Sequence, residues 1–224
     1  MRGQSTDHAL LTENQIDTAL FSIFEIYSGI SSSQWHVCLC NPPGGDWSRI
    51  SLLSQTGKSL YIWNTLPRVR DENKLPDFVV QAIVPEAGNS FVLSIESKDR
   101  PRNLELDIGH RMNQFVEWLT SEIQPSLSKD VSGEKNMHEE LADFVLVNAV
   151  ATSFHPQDST ETILGIWEKC KCDFCMNFVG VGNSVRLEIF VNPLYADQEY
   201  INLLKQILEG VRDYADLELI FNES

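Results

Sequence analysis

Two short apolar runs joined by a turn constrain the fold of this 224-residue chain more than any other feature. The first run begins after Asp77 and the second ends at Glu96. Residues 85–90 lie between them and contain Pro, Gly and Asn, so the pattern predicts strands at 78–84 and 91–96 joined as a hairpin. Because a hairpin reverses the chain, we expect Asp77 and Glu96 at one edge of a sheet.

This pair of carboxylates suits a magnesium ion, which takes oxygen ligands and usually one or two protein carboxylates. Manganese accepts the same oxygen ligands and is expected to substitute for it. Lys98 follows Glu96 by two residues, so strand alternation places both side chains on the same face. A lysine there can position the water that attacks a phosphodiester. The alternative is a surface hairpin with ordinary ion pairs.

The motif Pro76-Asp77, an apolar run, then Glu96-Ser97-Lys98 resembles the signature of the PD-(D/E)XK nuclease superfamily, the restriction-endonuclease-like proteins. The resemblance implies an α/β fold with a mixed sheet. The core of that family is a helix, three strands, a helix and a strand. Residues 12–150 fit this order with one extra early strand.

The resemblance also implies roles for single residues. Asp77 and Glu96 would bind magnesium, with the carbonyl of Ser97 as a further ligand, and Lys98 would act on the water. Many members add an acidic ligand from the first helix, and Glu13 is a better candidate for it here than Glu25. The expected function is therefore a magnesium-dependent DNA endonuclease, of the restriction or phage-defence kind.

Residues 124–138 are polar and contain Pro, Gly and Ser, which is typical of a linker. We therefore predict a catalytic core at 1–130. Residues 131–224 are predicted to be a C-terminal α/β extension that completes the sheet and supplies a dimer or partner surface, and one single domain is the alternative. Apolar periodicity predicts helices at 13–29, 104–123, 160–169 and 196–214, and further strands at 35–40, 48–54, 59–63, 144–151, 177–181, 185–191 and 217–221.

Basic residues flank the proposed site on both sides in the sequence, and arginine is well suited to contact phosphates. Further along, one edge of the helix 104–123 carries a glutamine four residues before Trp118, which resembles the Gln-x-x-x-Tyr element of the RecB-like nuclease branch. Local charge balance is the alternative for the basic residues, and an amphipathic helix with a polar shoulder is the alternative for the helix edge. The predicted nucleic-acid contacts are Arg68, Arg70, Arg100, Arg102, Arg111 and Gln114.

The formal net charge of −15 opposes a protein that coats DNA nonspecifically, because phosphate neutralisation dominates such binding. Residues 1–130 carry 11 basic and 16 acidic residues (net −5), and residues 131–224 carry 6 and 16 (net −10). Either a small patch contacts DNA, or a homodimer or partner subunit supplies basic surface. The rival function is a non-catalytic acidic subunit of a nucleic-acid-processing complex.

Three of the five cysteines lie close together in the sequence, at Cys170, Cys172 and Cys175. With Cys38 or Cys40 they could form a structural zinc site. The spacing is not that of a standard zinc knuckle, so the sequence favours buried thiols. The chain shows neither a signal peptide nor an apolar stretch that would span a bilayer, and the expected location is the cytoplasm.

Overall fold

A computed structural model of the protein describes residues 8–30, 34–39, 53–54, 77–84, 89–104, 144–212 and 217–222. Within these ranges the chain forms nine strands and three α-helices, which confirms the predicted mixed α/β class. Contacts divide the chain into two compact units that interleave along the sequence. Unit 1 comprises Met1–Tyr27, Ser97–Ile108 and Ala149–Ser224, and unit 2 comprises Ser28–Glu96 and Gly109–Asn148.

Helix α1, Glu13–Ile30, confirms the helix predicted at 13–29. The Gln15 side chain accepts a 2.9 Å hydrogen bond from the Thr12 backbone N–H, which fixes the chain as it enters the helix. Four apolar side chains at helical spacing are buried along one face, and they account for the packing of this helix. They are Ile16, Leu20, Ile23 and Phe24.

Two further helices lie in unit 1: α2, Ser159–Lys169, and α3, Gln198–Arg212. Both agree with the predicted positions to within two residues. Helix α3 buries Leu204, Leu208 and Val211 on one face and keeps charged residues on the other. As far as the described helices go, none has both the length and the apolar character needed to cross a membrane.

Unit 2 contains strands β2, Gln34–Leu39, β3, Leu53–Ser54, and β4, Phe78–Val84. It also holds most of β5, Asn89–Ser97, and the first part of β6, Phe144–Thr152. The neighbours in order are β3, β2, β4, β5 and β6, and the pairs β3–β2, β2–β4 and β4–β5 are antiparallel. The predicted hairpin at 78–84 and 91–96 is confirmed as β4 and β5.

The remaining strands belong to unit 1: β1, His8–Leu10, β7, Phe174–Val181, β8, Ser184–Val191, and β9, Leu217–Asn222. Strand β7 is parallel to the end of β6 and antiparallel to β8, and β8 is parallel to β9. Beyond the part of β7 that pairs with β6, residues 179–181 of β7 pair with β1 on the same edge. Buried apolar side chains of β7 and β8 form the core here, because both faces of these central strands are covered.

Several predictions fall on residues outside the described ranges. These are the helix from 105 to 123, the linker 124–138 and most of the strand pair 48–54 and 59–63. The predicted boundary near residue 130 lies there too and stays a prediction. The two contact units cut the chain differently, within β5 and within β6, because pairing in a sheet joins segments that are distant in sequence.

Candidate metal and catalytic site

Asp77 and Glu96 occupy corresponding positions at one end of the β4–β5 hairpin. The last pair of this ladder is Phe78 with Ile95, and Asp77 and Glu96 are the next residues on either side of the hairpin at this end. The hairpin therefore aligns two carboxylates that are 19 positions apart in sequence.

Both carboxylates are withdrawn from solvent, with Asp77 5% exposed and Glu96 7% exposed. A buried carboxylate is costly unless it is hydrogen-bonded, ion-paired or bound to a metal ion. Magnesium is a fitting cation, since it is commonly held by only one or two protein carboxylates and keeps several waters. The donor set of this pair is thus compatible with a magnesium ion.

Lys98 lies just beyond β5, and its ammonium group is held by two oxygen atoms of unit 1. Its Nζ donates a 2.7 Å hydrogen bond to the Ser97 carbonyl and lies 3.4 Å from Oε1 of Glu13. Its backbone N–H donates to the Ala151 carbonyl at 2.9 Å, which fixes the main chain at this point. The ammonium is therefore oriented by its surroundings and is one-fifth exposed.

Glu13 and Ser97, both predicted as metal ligands, thus meet at Lys98. The Glu13 carboxylate forms an ion pair with the lysine and is 41% exposed. The Ser97 carbonyl accepts the lysine hydrogen bond on one lone pair, and a carbonyl oxygen has two. Their assignment as magnesium ligands stays a prediction.

Asp17 is a member of this cluster that sequence reasoning missed. Its Oδ1 accepts a 2.5 Å hydrogen bond from the Ser97 hydroxyl, and the residue is only 8% exposed. It follows Glu13 by four positions on α1, so both carboxylates lie on the same side of the helix. That spacing is the signal that could have revealed it.

Arg100 and Arg102, predicted to contact nucleic acid, follow directly in the chain. Arg100 donates from Nη1 to the carbonyls of Leu11, at 2.9 Å, and Asp99, so its guanidinium is anchored to the start of α1. Arg102 is exposed. Both line a cleft of about 480 Å³ in unit 1. Four other predicted contacts, Arg68, Arg70, Arg111 and Gln114, lie outside the described residues.

Metal-ligand clusters with three or more His, Cys, Asp or Glu residues are absent from the described ranges. A magnesium site made of two carboxylates with water needs no such cluster. Cys170, Cys172 and Cys175 are buried thiols. Burial, and then the neighbouring cysteines, raise the pKa of Cys172 and Cys175 well above the usual value. Zinc binding would require these thiols to lose their protons against that burial.

No protein-family model matches this chain, and no curated protein or solved structure matches it either. The function must therefore be argued from the residues themselves and from their arrangement.

Proposed function

We propose that the chain is a magnesium-dependent deoxyribonuclease of the restriction-endonuclease-like type. The observation that carries the proposal is that Asp77 and Glu96, both buried, are the next residues after Phe78 and Ile95, the last pair of the β4–β5 hairpin. The two carboxylates, with Lys98 two residues after Glu96, suit metal-assisted hydrolysis of a phosphodiester, and we take DNA as the substrate.

The order of elements supports the same proposal. Helix α1 is followed by strands β2, β4 and β5, which are neighbours in that order, and β6 lies next to β5. The nuclease core has a helix, three strands, a helix and a strand. The short β3 beside β2 is the additional strand, and the expected second helix falls between residues 105 and 123.

In the proposed mechanism Asp77 and Glu96 hold the magnesium ion. The ion, when bound, supplies Lewis acidity that activates water and neutralises charge on the phosphoryl oxygens. Lys98 orients the attacking water through a hydrogen bond, and the Ser97 carbonyl fixes the direction of its ammonium. Arg100 and Arg102 would contact flanking phosphates. Cleavage of both strands would require two such sites, supplied by a homodimer or a second nuclease chain.

The test uses the purified chain with supercoiled plasmid DNA and magnesium. We expect Asp77→Asn, Glu96→Gln and Lys98→Gln each to abolish cleavage. Magnesium titration by calorimetry should show weaker binding in the two carboxylate variants and unchanged binding in Lys98→Gln. This readout is independent of turnover and distinguishes the ligands from the water-positioning residue.

Glu188→Gln is the matched control, because Glu188 is also a buried carboxylate of the sheet, 6% exposed. It accepts a 3.0 Å hydrogen bond from Asn177, which a glutamine oxygen can also accept. This variant should cleave like the wild type. Equal cleavage by wild type, Asp77→Asn and Lys98→Gln would show that the motif is not catalytic.

A second candidate function is a non-catalytic acidic subunit that binds a basic partner, and the surface of the C-terminal half favours it. Residues 131–224 carry a net charge of −10. Many acidic residues there are exposed, on and around α2, α3 and β9. They include Asp158, Glu161, Glu168, Asp197, Glu199, Glu209 and Glu218. An intact plasmid after incubation with magnesium and wild-type chain would favour this function.

A further inference from the structure

The cleft of about 480 Å³ lies wholly within unit 1. Its walls are the turn at 100–102, the segment 153–155 after β6, and one face of α2. Its size falls in the range of about 300–1,000 Å³ that is typical of small-molecule sites. The cleft is therefore large enough to hold a ligand of nucleotide size.

One face of α2, with the residue before it, forms a continuous wall of this cleft. Its members recur every three or four positions, which is the spacing of a single helical face. They are Asp158, Glu161, Thr162, Gly165, Ile166 and Lys169. A Cβ atom added at Gly165 would meet no other atom within 4 Å. The missing side chain of Gly165 thus keeps the middle of this wall open.

The chemistry of the walls combines cations with apolar surface. Arg100, Arg102 and Lys169 supply positive charge, and the partly exposed Leu10 and Pro101 supply apolar surface. Both recorded hydrogen bonds of Arg100 use Nη1. A guanidinium has five N–H donors, so Nε and Nη2 retain capacity for a ligand. Arginine matches the geometry of a phosphate, which can accept two parallel hydrogen bonds.

Two exposed carboxylates, Asp158 and Glu161, also line the cleft. They exclude a ligand that is negatively charged throughout, since it would meet like charges at this end of the wall. They can accept hydrogen bonds from hydroxyl or amino groups instead. The walls therefore suit a ligand with one anionic end, a flat apolar part and hydrogen-bond donors.

We propose that this cleft binds one nucleotide unit. Arg100 and Arg102 would hold its phosphate, and the base would pack against the apolar wall at Leu10 and Pro101. Either a free nucleoside monophosphate or one nucleotide of a single strand of DNA has this chemistry. The inference is independent of the Asp77–Glu96 pair.

The experiment is calorimetric titration of the full chain without divalent metal, so that no DNA is cut. The probes are deoxyadenosine monophosphate, deoxyadenosine, and a 5′-phosphorylated single-stranded oligodeoxyadenylate. Gly165→Leu places a side chain in the cleft, and leucine is a good helix former. Thr160→Leu is the matched control, since Thr160 is an exposed residue of α2 that does not line the cleft.

We expect the wild type and Thr160→Leu to bind the monophosphate with the same affinity. The affinity of Gly165→Leu should be lower by about tenfold or more. Arg102→Gln should weaken binding about three- to tenfold, with reduced salt dependence. Deoxyadenosine should bind far more weakly, because it lacks the phosphate. If only the oligonucleotide binds, with the same differences among the variants, the nucleotide that the cleft holds is part of a DNA strand.

Three results would overturn the proposal: no binding of either phosphorylated probe, equal binding by wild type and Gly165→Leu, or equal affinity for deoxyadenosine and its monophosphate. Thermal unfolding of each variant checks that the fold is retained. Because no metal is present, failure here leaves the nuclease proposal standing. Loss of plasmid cleavage in Asp77→Asn likewise says nothing against this cleft.

Discussion

The Ser97 hydroxyl donates a 2.5 Å hydrogen bond to Oδ1 of Asp17, and this bond joins the end of β5 to α1 across 80 positions of sequence. Both residues are buried, with Ser97 fully enclosed and Asp17 8% exposed. A hydrogen bond to a buried carboxylate is stronger than one between neutral groups. We infer that this contact fixes the backbone from which Lys98 projects.

Ser97→Ala should therefore destabilise the protein by about 1–3 kcal/mol, because it removes a donor from a buried carboxylate. Urea unfolding followed by circular dichroism measures the change. Thr18→Ala is the control. Thr18 lies next to Asp17 on α1, and its hydroxyl donates an exposed hydrogen bond to the backbone carbonyl of Asn14. The control should change stability by less than about 0.5 kcal/mol. Equal losses in both variants would contradict the importance of the Ser97–Asp17 bond.

Glu13→Gln separates the observed role of this residue from the predicted one. The Glu13–Lys98 pair is partly exposed, so its loss should cost less than about 1 kcal/mol of stability. If Glu13 acts only through Lys98, magnesium affinity should stay unchanged while cleavage falls. The control is Glu168→Gln on α2, an exposed carboxylate away from Lys98. A drop in magnesium affinity confined to Glu13→Gln would instead identify Glu13 as a metal ligand.

The elements that the sequence predicts well are those whose signals are local. The β4–β5 hairpin follows from two apolar runs and a turn, and α1 follows from its apolar spacing. Strand β1 was missed, because three residues carry no periodicity and its partner Val181 lies far along the chain. Strand β7 begins at Phe174 rather than at 177, since Cys175 belongs to the strand.

The candidate site shows the same division between local and distant information. Alternation along one strand predicts that Glu96 and Lys98 share a face, and this stays a prediction because β5 ends at Ser97. The partners of Lys98 and Ser97 on α1 depend on how the helix packs against the strand end, which no local pattern contains. For this reason Asp17 escaped the sequence analysis, although its spacing from Glu13 is helical.

Gly182 and Gly165 should respond in opposite ways to replacement by alanine. Gly182 adopts a φ of +62° in the turn between β7 and β8, where an L side chain is strained. Gly182→Ala should therefore lower the free energy of unfolding by about 1–2 kcal/mol. Gly165 lies within α2, and a Cβ atom there would meet no other atom within 4 Å. Gly165→Ala should therefore raise the free energy of unfolding by about 0.5–1 kcal/mol. Urea unfolding of both variants measures these changes, and each serves as the control for the other. Changes of the same sign would contradict this interpretation.

The buried cysteines should make the protein less stable in alkaline solution. Burial raises the pKa of Cys172 and Cys175 well above the usual 9.0, so the folded thiols keep protons that the unfolded chain releases. Above about pH 9 the folded state therefore binds more protons, and stability falls by about 1.4 kcal/mol per pH unit for each thiol. Below that pH both states are protonated and the contribution is constant.

The measurement is the urea midpoint at a series of pH values, for the wild type and for Cys172→Ala/Cys175→Ala. Loss of the two thiols lowers the whole curve, because small cavities form in the core, but it should also flatten the decline above about pH 9. An unchanged slope in the double variant would contradict burial as the cause. Chelator treatment at neutral pH is the complementary experiment: a large fall in stability on adding EDTA, absent from the double variant, would show that these cysteines bind zinc.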